Sequence, residues 1–299
     1  MADRSLIECT DATWNPVTGC TKVSPGCKHC YAERHWTRLR GNRGTIYYGR
    51  SFTDIQTHPE RLDQPQRWRK PRLIFVNSMS DLFHPEVPFE FIHSMWRHMA
   101  ASHQHIYQIL TKRVERAAQF FAWNDRLPAS ERLRPHCKHI WFGASVEDQE
   151  TADDRIPQLL RLPVAVRWIC VEPMLAPVDL SPWLGLTTSA AGAGGESRCQ
   201  HCRWDNAGAR PASAAIHWLV VGGESGPRAR ACHVNWIADT LGECRKAGIA
   251  AFVRHLGSAA HWDHAGETGL MPKSSRKIGS VAHWPAPLQM QAYPDLDAL

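Results

Sequence analysis

The stretch Leu73-Ile-Phe-Val-Asn-Ser-Met-Ser-Asp81 joins four β-branched, aromatic or aliphatic residues to a mainly polar run. An apolar run of that length suits a strand covered on both faces, and the polar residues suit a loop at its carboxyl end. The same joint recurs along the chain. His105-Ile-Tyr-Gln-Ile-Leu110 leads into Thr111-Lys-Arg113, Ile140-Trp-Phe142 into Gly143-Ala-Ser145, and Val166-Arg-Trp-Ile-Cys-Val171 into Glu172-Pro173. His217-Trp-Leu-Val-Val221 precedes Gly222-Gly-Glu-Ser225, and a weaker run, Ala250-Ala-Phe-Val253, precedes Arg254-His255. Helix-period segments fall between these runs. Ile92, Met95, Trp96 and Met99 share one face, and Ile237, Leu241 and Cys244 make a second stripe that closes near Gly248. Strand, polar loop, helix, strand predicts an α/β fold, either doubly wound or a barrel. The reading preferred is a partial (β/α) TIM-like barrel of six to seven mainly parallel strands. Both architectures put their chemistry at the carboxyl ends of the strands, so the polar loops are where a site is expected.

The wider composition agrees. The chain has 299 residues, 43% hydrophobic and 21% charged, which excludes a disordered, collagenous or disulfide-stapled protein. Thirteen tryptophans are expected mostly in the core. A net charge of +6 permits a phosphate-bearing partner without requiring one. Residues 1–14 carry charges and no apolar run, so no secretory signal is expected, and no apolar stretch approaches the roughly 18–20 residues of a membrane span. The expected location is cytoplasmic, where the ten cysteines stay reduced and a cluster of them points to metal. Residues 185–215, rich in Gly, Ala and Ser, read as an inserted loop within a main domain of residues 1–257, followed by a C-terminal extension over 258–299. Inside the insertion, Cys199-Gln-His-Cys202 offers two thiols as a candidate zinc site, the bland alternative being an exposed loop.

The densest chemistry is Cys20-Thr-Lys-Val-Ser-Pro-Gly-Cys27-Lys-His-Cys30, three thiols within eleven residues. Short loops bring such groups together at little entropic cost, and thiolates are soft ligands for iron–sulfur clusters or zinc. A structural zinc site is closed by four ligands, whereas three cysteines leave one cluster iron open. From spacing alone the cluster, zinc with His29 as a strained fourth ligand, and unligated thiols all remain readings.

A three-cysteine loop near the amino end, followed by a βα series, resembles the radical S-adenosylmethionine enzymes. The longer strings Thr13-Trp-Asn-Pro-Val-Thr-Gly-Cys20 and Ser24-Pro-Gly-Cys27 with Cys30-Tyr-Ala are more specific. They resemble the phage-associated three-Cys-motif family of radical-SAM-like proteins, distantly similar to spore photoproduct lyase. Phe75-Val-Asn-Ser-Met-Ser-Asp-Leu-Phe83, Leu110-Thr-Lys-Arg113, Val171-Glu-Pro-Met174 and Val221-Gly-Gly-Glu-Ser-Gly226 extend the resemblance over roughly residues 5–257. It departs at the 185–215 insertion and in the six-residue spacing between the first two cysteines.

The resemblance implies a barrel of the radical SAM type, with a 4Fe–4S cluster on Cys20, Cys27 and Cys30 that binds S-adenosylmethionine and yields a 5′-deoxyadenosyl radical. A one-electron donor such as flavodoxin or ferredoxin is implied, and a nucleic-acid base or nucleotide is the expected substrate, in modification or repair. Two rivals stand beside it: a cluster- or zinc-stabilised nucleic-acid-binding protein without radical turnover, and a radical enzyme acting on a protein or small metabolite. Candidate cofactor-binding residues follow the strands. Ser78, Ser80 and Asp81 suit an ammonium, against an ordinary loop with Asp81 as a cap. Lys112, with Arg113, suits a carboxylate or phosphate, against surface solvation. Ser145 and Glu147 suit ribose hydroxyls, and Glu172 is a strand-end carboxylate whose plain role is to pair with an arginine. Gly222 and Gly223 let backbone approach a ligand, with Glu224 as acceptor. Two basic stretches interleaved with Trp36 and Trp68 supply candidate nucleic-acid contacts at Arg38, Arg40, Arg43, Arg67 and Arg69, against a solvated surface.

Overall fold

The computed structural model describes residues 5, 7–184, 215–264, 267–272 and 281–297. It divides into two compact units, one built on Met1–Gly143 and Arg161–Val166, the other on Ala144–Leu160, the segment from Arg167, and the chain from Ala215 onward. The parts of the insertion that carry Cys199 and Cys202 lie outside the described residues.

The first unit opens with β1 (Ala12–Trp14), β2 (Val17–Thr18), α1 (Tyr31–Leu39) and β3 (Gln56–Thr57). It continues with β4 (Leu73–Val76), α2 (Phe89–Ala101), β5 (Ile106–Thr111) and α3 (Val114–Asn124). Strands β1, β4 and β5 pair in parallel, whereas β2 and β3 form a small antiparallel ribbon. The α2 stripe read from the sequence is buried in full: Ile92, Met95, Trp96 and Met99 have no exposed surface. Trp96 packs edge-on to Phe121, with Phe83, Phe120 and Phe142 completing an aromatic core.

Strand β6 (Ile140–Val146) is buried at every residue, as a strand covered on both faces should be. It is followed by α4 (Gln149–Arg161), β7 (Val166–Val171), β8 (Trp218–Gly222), β9 (Cys232–His233), α5 (Val234–Ala247) and β10 (Ala250–His255). Strands β7 and β8 are likewise buried throughout. Helix α5 ends at Gly248 in the left-handed conformation, as its stripe and terminal glycine predict. The chain then forms β11 (Ala260–His264) and β12 (Glu267–Leu270), which join β9 in a three-stranded sheet.

Seven strands make the principal sheet, in the order β1-β4-β5-β6-β7-β8-β10. Each is neighboured by the next parallel strand along the chain, the order of a (β/α) barrel left open, so the fold is the α/β partial barrel expected. Two features do not show in the apolar runs. Strand β1 has three residues, too few to stand out, and the tail carries order of its own. Trp218 Nε1 donates to the Ala292 carbonyl at 2.8 Å, and the Tyr293 ring stacks on that of Trp218. Seven of the twelve described tryptophans are buried: Trp14, Trp36, Trp96, Trp141, Trp168 and Trp218 almost completely, and Trp284 at 3% exposure. Among the described residues no helix is long and apolar enough to cross a membrane.

Candidate metal centre

The loop that carries the three cysteines is pinned from several sides. Gly19 adopts φ 93° and bridges to Ser80, its amide donating to the Met79 carbonyl at 3.1 Å. A Cβ there would run into the Asp54 carbonyl, so only glycine turns the chain at this point. Cys20 then donates its amide to the Phe52 carbonyl at 2.8 Å. Cys27 ends a single 3-10 turn, Pro25–Cys27, with its sulfur 3.8 Å from Ser24 Oγ. Cys30 caps the amino end of α1, and the next residue, Tyr31, donates its hydroxyl to the Ser78 carbonyl at 2.6 Å. Helix α1 seats Ala32 and Trp36 against Met79, with Tyr47 and Phe52 packed around them. Loop and helix are thereby tied to the β4 end.

The three thiols are half-buried and differ electrostatically. Burial and the Asp81 charge push the Cys20 thiol up to about 12, against the opposing pull of Arg113. Burial also raises Cys30, while the amides of Ala32 and Glu33 work against it. Burial acts on Cys27 as well, but the Lys112 charge and the donors of Val23 and Ser24 hold it below the ordinary thiol value. Cys27 contributes to the shift of each of the other two, so the thiols sense one another. Among the described residues no three His, Cys, Asp or Glu side chains stand in a metal-holding arrangement. The donor set nonetheless fits a soft metal centre in kind: three thiols on one loop, two of them under the influence of cations.

Those cations come from the loop after β5. Arg113 Nη1 lies 2.8 Å from Asp81 Oδ2 and 3.7 Å from Cys20 Sγ, and its Nη2 donates to the Thr21 carbonyl at 2.9 Å and to Thr21 Oγ1 at 3.1 Å. Asp81 is therefore heavily committed. Besides Arg113 it accepts from Thr111 Oγ1 at 2.7 Å, the Phe83 amide at 2.9 Å and the Lys112 amide at 3.3 Å. Ser78 Oγ donates to Asn15 Oδ1 and Ser80 Oγ to the Val17 carbonyl. The three residues expected to receive an ammonium thus bond to the chain's own groups. Arg113, which the sequence offers for a carboxylate or phosphate, is engaged by Asp81, Thr21 and Cys20.

In the second unit the acidic candidates are also matched by basic side chains. Glu147 is fully buried and 3.2 Å from Arg155 Nη1, which also donates to the Ser145 carbonyl at 2.7 Å. Glu172 lies 2.8 Å from Arg254 Nη2 and 3.3 Å from His255 Nε2, the arginine pairing weighed as its plain role. Glu224 accepts from the Arg230 amide, Nε and Nη2 at 2.8, 3.0 and 2.6 Å. The glycine pair serves close packing of this chain on itself. A Cβ on Gly222 would come within 2.9 Å of the His255 carbonyl, and one on Gly223 would strike the Leu256 carbonyl. Arg254 stands out in the sequence at the end of an apolar run, but no pattern announces Arg155 or Arg230, whose partners are set by tertiary contact rather than spacing.

The basic stretches hold side chains of two kinds, packed and solvated. Trp36 is 1% exposed and edge-on to Tyr47 and Phe52, with Arg50 over its ring, so it is a core side chain and not a stacking surface. Trp68 is half-buried beneath Arg72. Arg38, Arg40 and Arg69 are exposed, Arg43 lies over the Tyr48 ring, and Arg67 pairs with Asp63.

No curated protein matches the chain. Among solved structures it is similar to spore photoproduct lyase complexed with dinucleoside spore photoproduct, at 14% identity and a TM-score of 0.37. It is similar also to a tyrosine-to-phenylalanine mutant of the same enzyme, at 15% identity and a TM-score of 0.36. In both cases the match covers 58% of this chain and 48% of the other, so the chain spans about half the length of these structures. One family model matches residues 4–281, nearly the whole chain, and by that match the protein belongs to the family described as proteins of unknown function, DUF5131.

Proposed function

We propose that this protein is a radical S-adenosylmethionine enzyme in which Cys20, Cys27 and Cys30 hold a 4Fe–4S cluster. The observation that carries the reading is the pinned three-thiol loop with Lys112 acting on one sulfur and Arg113 on another. When bound, the cluster and S-adenosylmethionine supply one-electron cleavage of a sulfonium carbon–sulfur bond and hence a 5′-deoxyadenosyl radical. The chain's own residues do the holding. The loop supplies three soft donors, the α1 amino end presents amides toward Cys30, and the two cations offset the negative charge that ligating thiolates bring. Partial burial of the three sulfurs limits the water around them.

The substrate class we propose is a nucleic-acid base or nucleotide. Its support is the motif resemblance together with exposed Arg38, Arg40 and Arg69, whose charges suit phosphates. A flavodoxin- or ferredoxin-class protein is the proposed electron donor, and the cytoplasm the proposed location.

Anaerobic reconstitution with iron and sulfide tests the reading before any substrate is chosen. About four irons and four sulfides per chain are expected, with methionine and 5′-deoxyadenosine released on reduction with S-adenosylmethionine. Uptake of zinc alone, without cofactor cleavage, would overturn the enzyme in favour of a metal-stabilised binding protein. Salt-dependent binding of a labelled oligonucleotide then checks the substrate class.

A further inference from the structure

Arg113 differs from an ordinary paired arginine in where its donors go. One face of the guanidinium meets Asp81 at 2.8 Å, while the same Nη1 stands 3.7 Å from Cys20 Sγ. Nη2 is spent on both the carbonyl and the hydroxyl of Thr21, the residue after Cys20. Asp81 is immobilised in turn by Thr111 Oγ1 and two backbone amides. A chain of contacts therefore runs from the β5 end, through a fixed carboxylate and a planar cation, to the first cysteine and its neighbour. The Arg113 and Asp81 side chains are 9% and 8% exposed, so water competes little for these bonds.

A purely structural ion pair has no need to aim a donor at a thiol. A ligating sulfur, by contrast, is tuned by the hydrogen bonds and charge around it. Donation to a cluster sulfur stabilises the reduced, more negative state and raises the reduction potential. Lysine would retain the charge but not the fork that serves Asp81, Thr21 and the sulfur together.

We propose that Arg113 is a positioning residue for the cluster: anchored by Asp81, it orders the Cys20 arm of the loop and sets the reduction potential through its N–H to the Cys20 sulfur. The inference rests on the cluster reading above. Its test is anaerobic reconstitution of the wild-type protein, Arg113→Gln and Arg113→Lys, with iron and sulfide content, the electron paramagnetic resonance spectrum of the reduced cluster and its midpoint potential as readouts. The expected result is a more negative midpoint and an altered spectrum in Arg113→Gln, with Arg113→Lys intermediate. Should Arg113→Gln fail to fold, the shift in Arg113→Lys alone decides. A folded, loaded variant whose midpoint and spectrum match wild type overturns the inference while the cluster reading stands. Wild-type protein that takes up no iron overturns both.

Discussion

The two units both match acids with arginines, but they use the match differently. In the first, Arg113 shares its donors among Asp81, Thr21 and the Cys20 sulfur, so the pair reaches past itself toward a candidate ligand. In the second, Arg230 turns its amide, Nε and Nη2 onto Glu224, and Arg155 ties Glu147 to the Ser145 carbonyl of the adjoining strand. Buried ion pairs contribute little net stability, because desolvation offsets the attraction, yet removing one partner is costly. The contrast therefore separates a pair that positions a candidate ligand from pairs that hold strand ends in place.

The largest expected effect breaks the first unit's site alone. Cys27→Ala should lose cluster loading altogether, with iron per chain falling to background and the apoprotein unfolding transition little changed. A full iron complement in that variant would contradict the ligand assignment. The converse substitution is Glu147→Gln, which removes the carboxylate from a buried ion pair with Arg155 and should cost about 3–5 kcal/mol in denaturant unfolding. Glu224→Gln should cost less, because the Arg230 side chain is 27% exposed where that of Arg155 is 7% exposed. Equal losses at the two positions would show that burial does not govern these pairs.

The smallest effect sharpens the comparison by pH. Burial lowers His139 in the first unit and His217 in the second to about 4 from an ordinary 6.5. A neutral native imidazole with a depressed value is outcompeted for protons by the unfolded chain. Its contribution is complete above about 6.5 and is lost as pH falls through about 4. Each histidine thus contributes at most about 3 kcal/mol across that window. His139→Asn should flatten the pH dependence of stability between those limits, and an unchanged slope would exclude His139 as a source of acid sensitivity.

Much of the fold is legible in the order of residues. Strands covered on both faces have no polar face to interrupt them, so β6, β7 and β8 stand out as apolar runs, and β4 is apolar throughout although buried only at alternate residues. The helical stripe of α2 is equally plain. Strand β1 carries no periodicity in its three residues, and its pairing with β4 begins the principal sheet. The candidate site is legible as donors and not as contacts. The cysteine spacing marks the loop, but nothing local links Asp81 to Arg113, 32 residues onward. Trp36 lies among arginines in the sequence, yet α1 turns the indole into the core against Met79.

Amino-acid order alone determined the α/β rhythm, the three clustered thiols and the polar composition of the strand-end loops, because each depends on residues close along the chain. Tertiary structure alone decided which carboxylate meets which arginine, that the Gly222-Gly223 pair accommodates β10 and the Leu256 carbonyl, and that Arg113 faces a sulfur. Those outcomes follow from burial: a charge removed from water takes whatever partner packing brings within reach, and sequence spacing does not encode that reach.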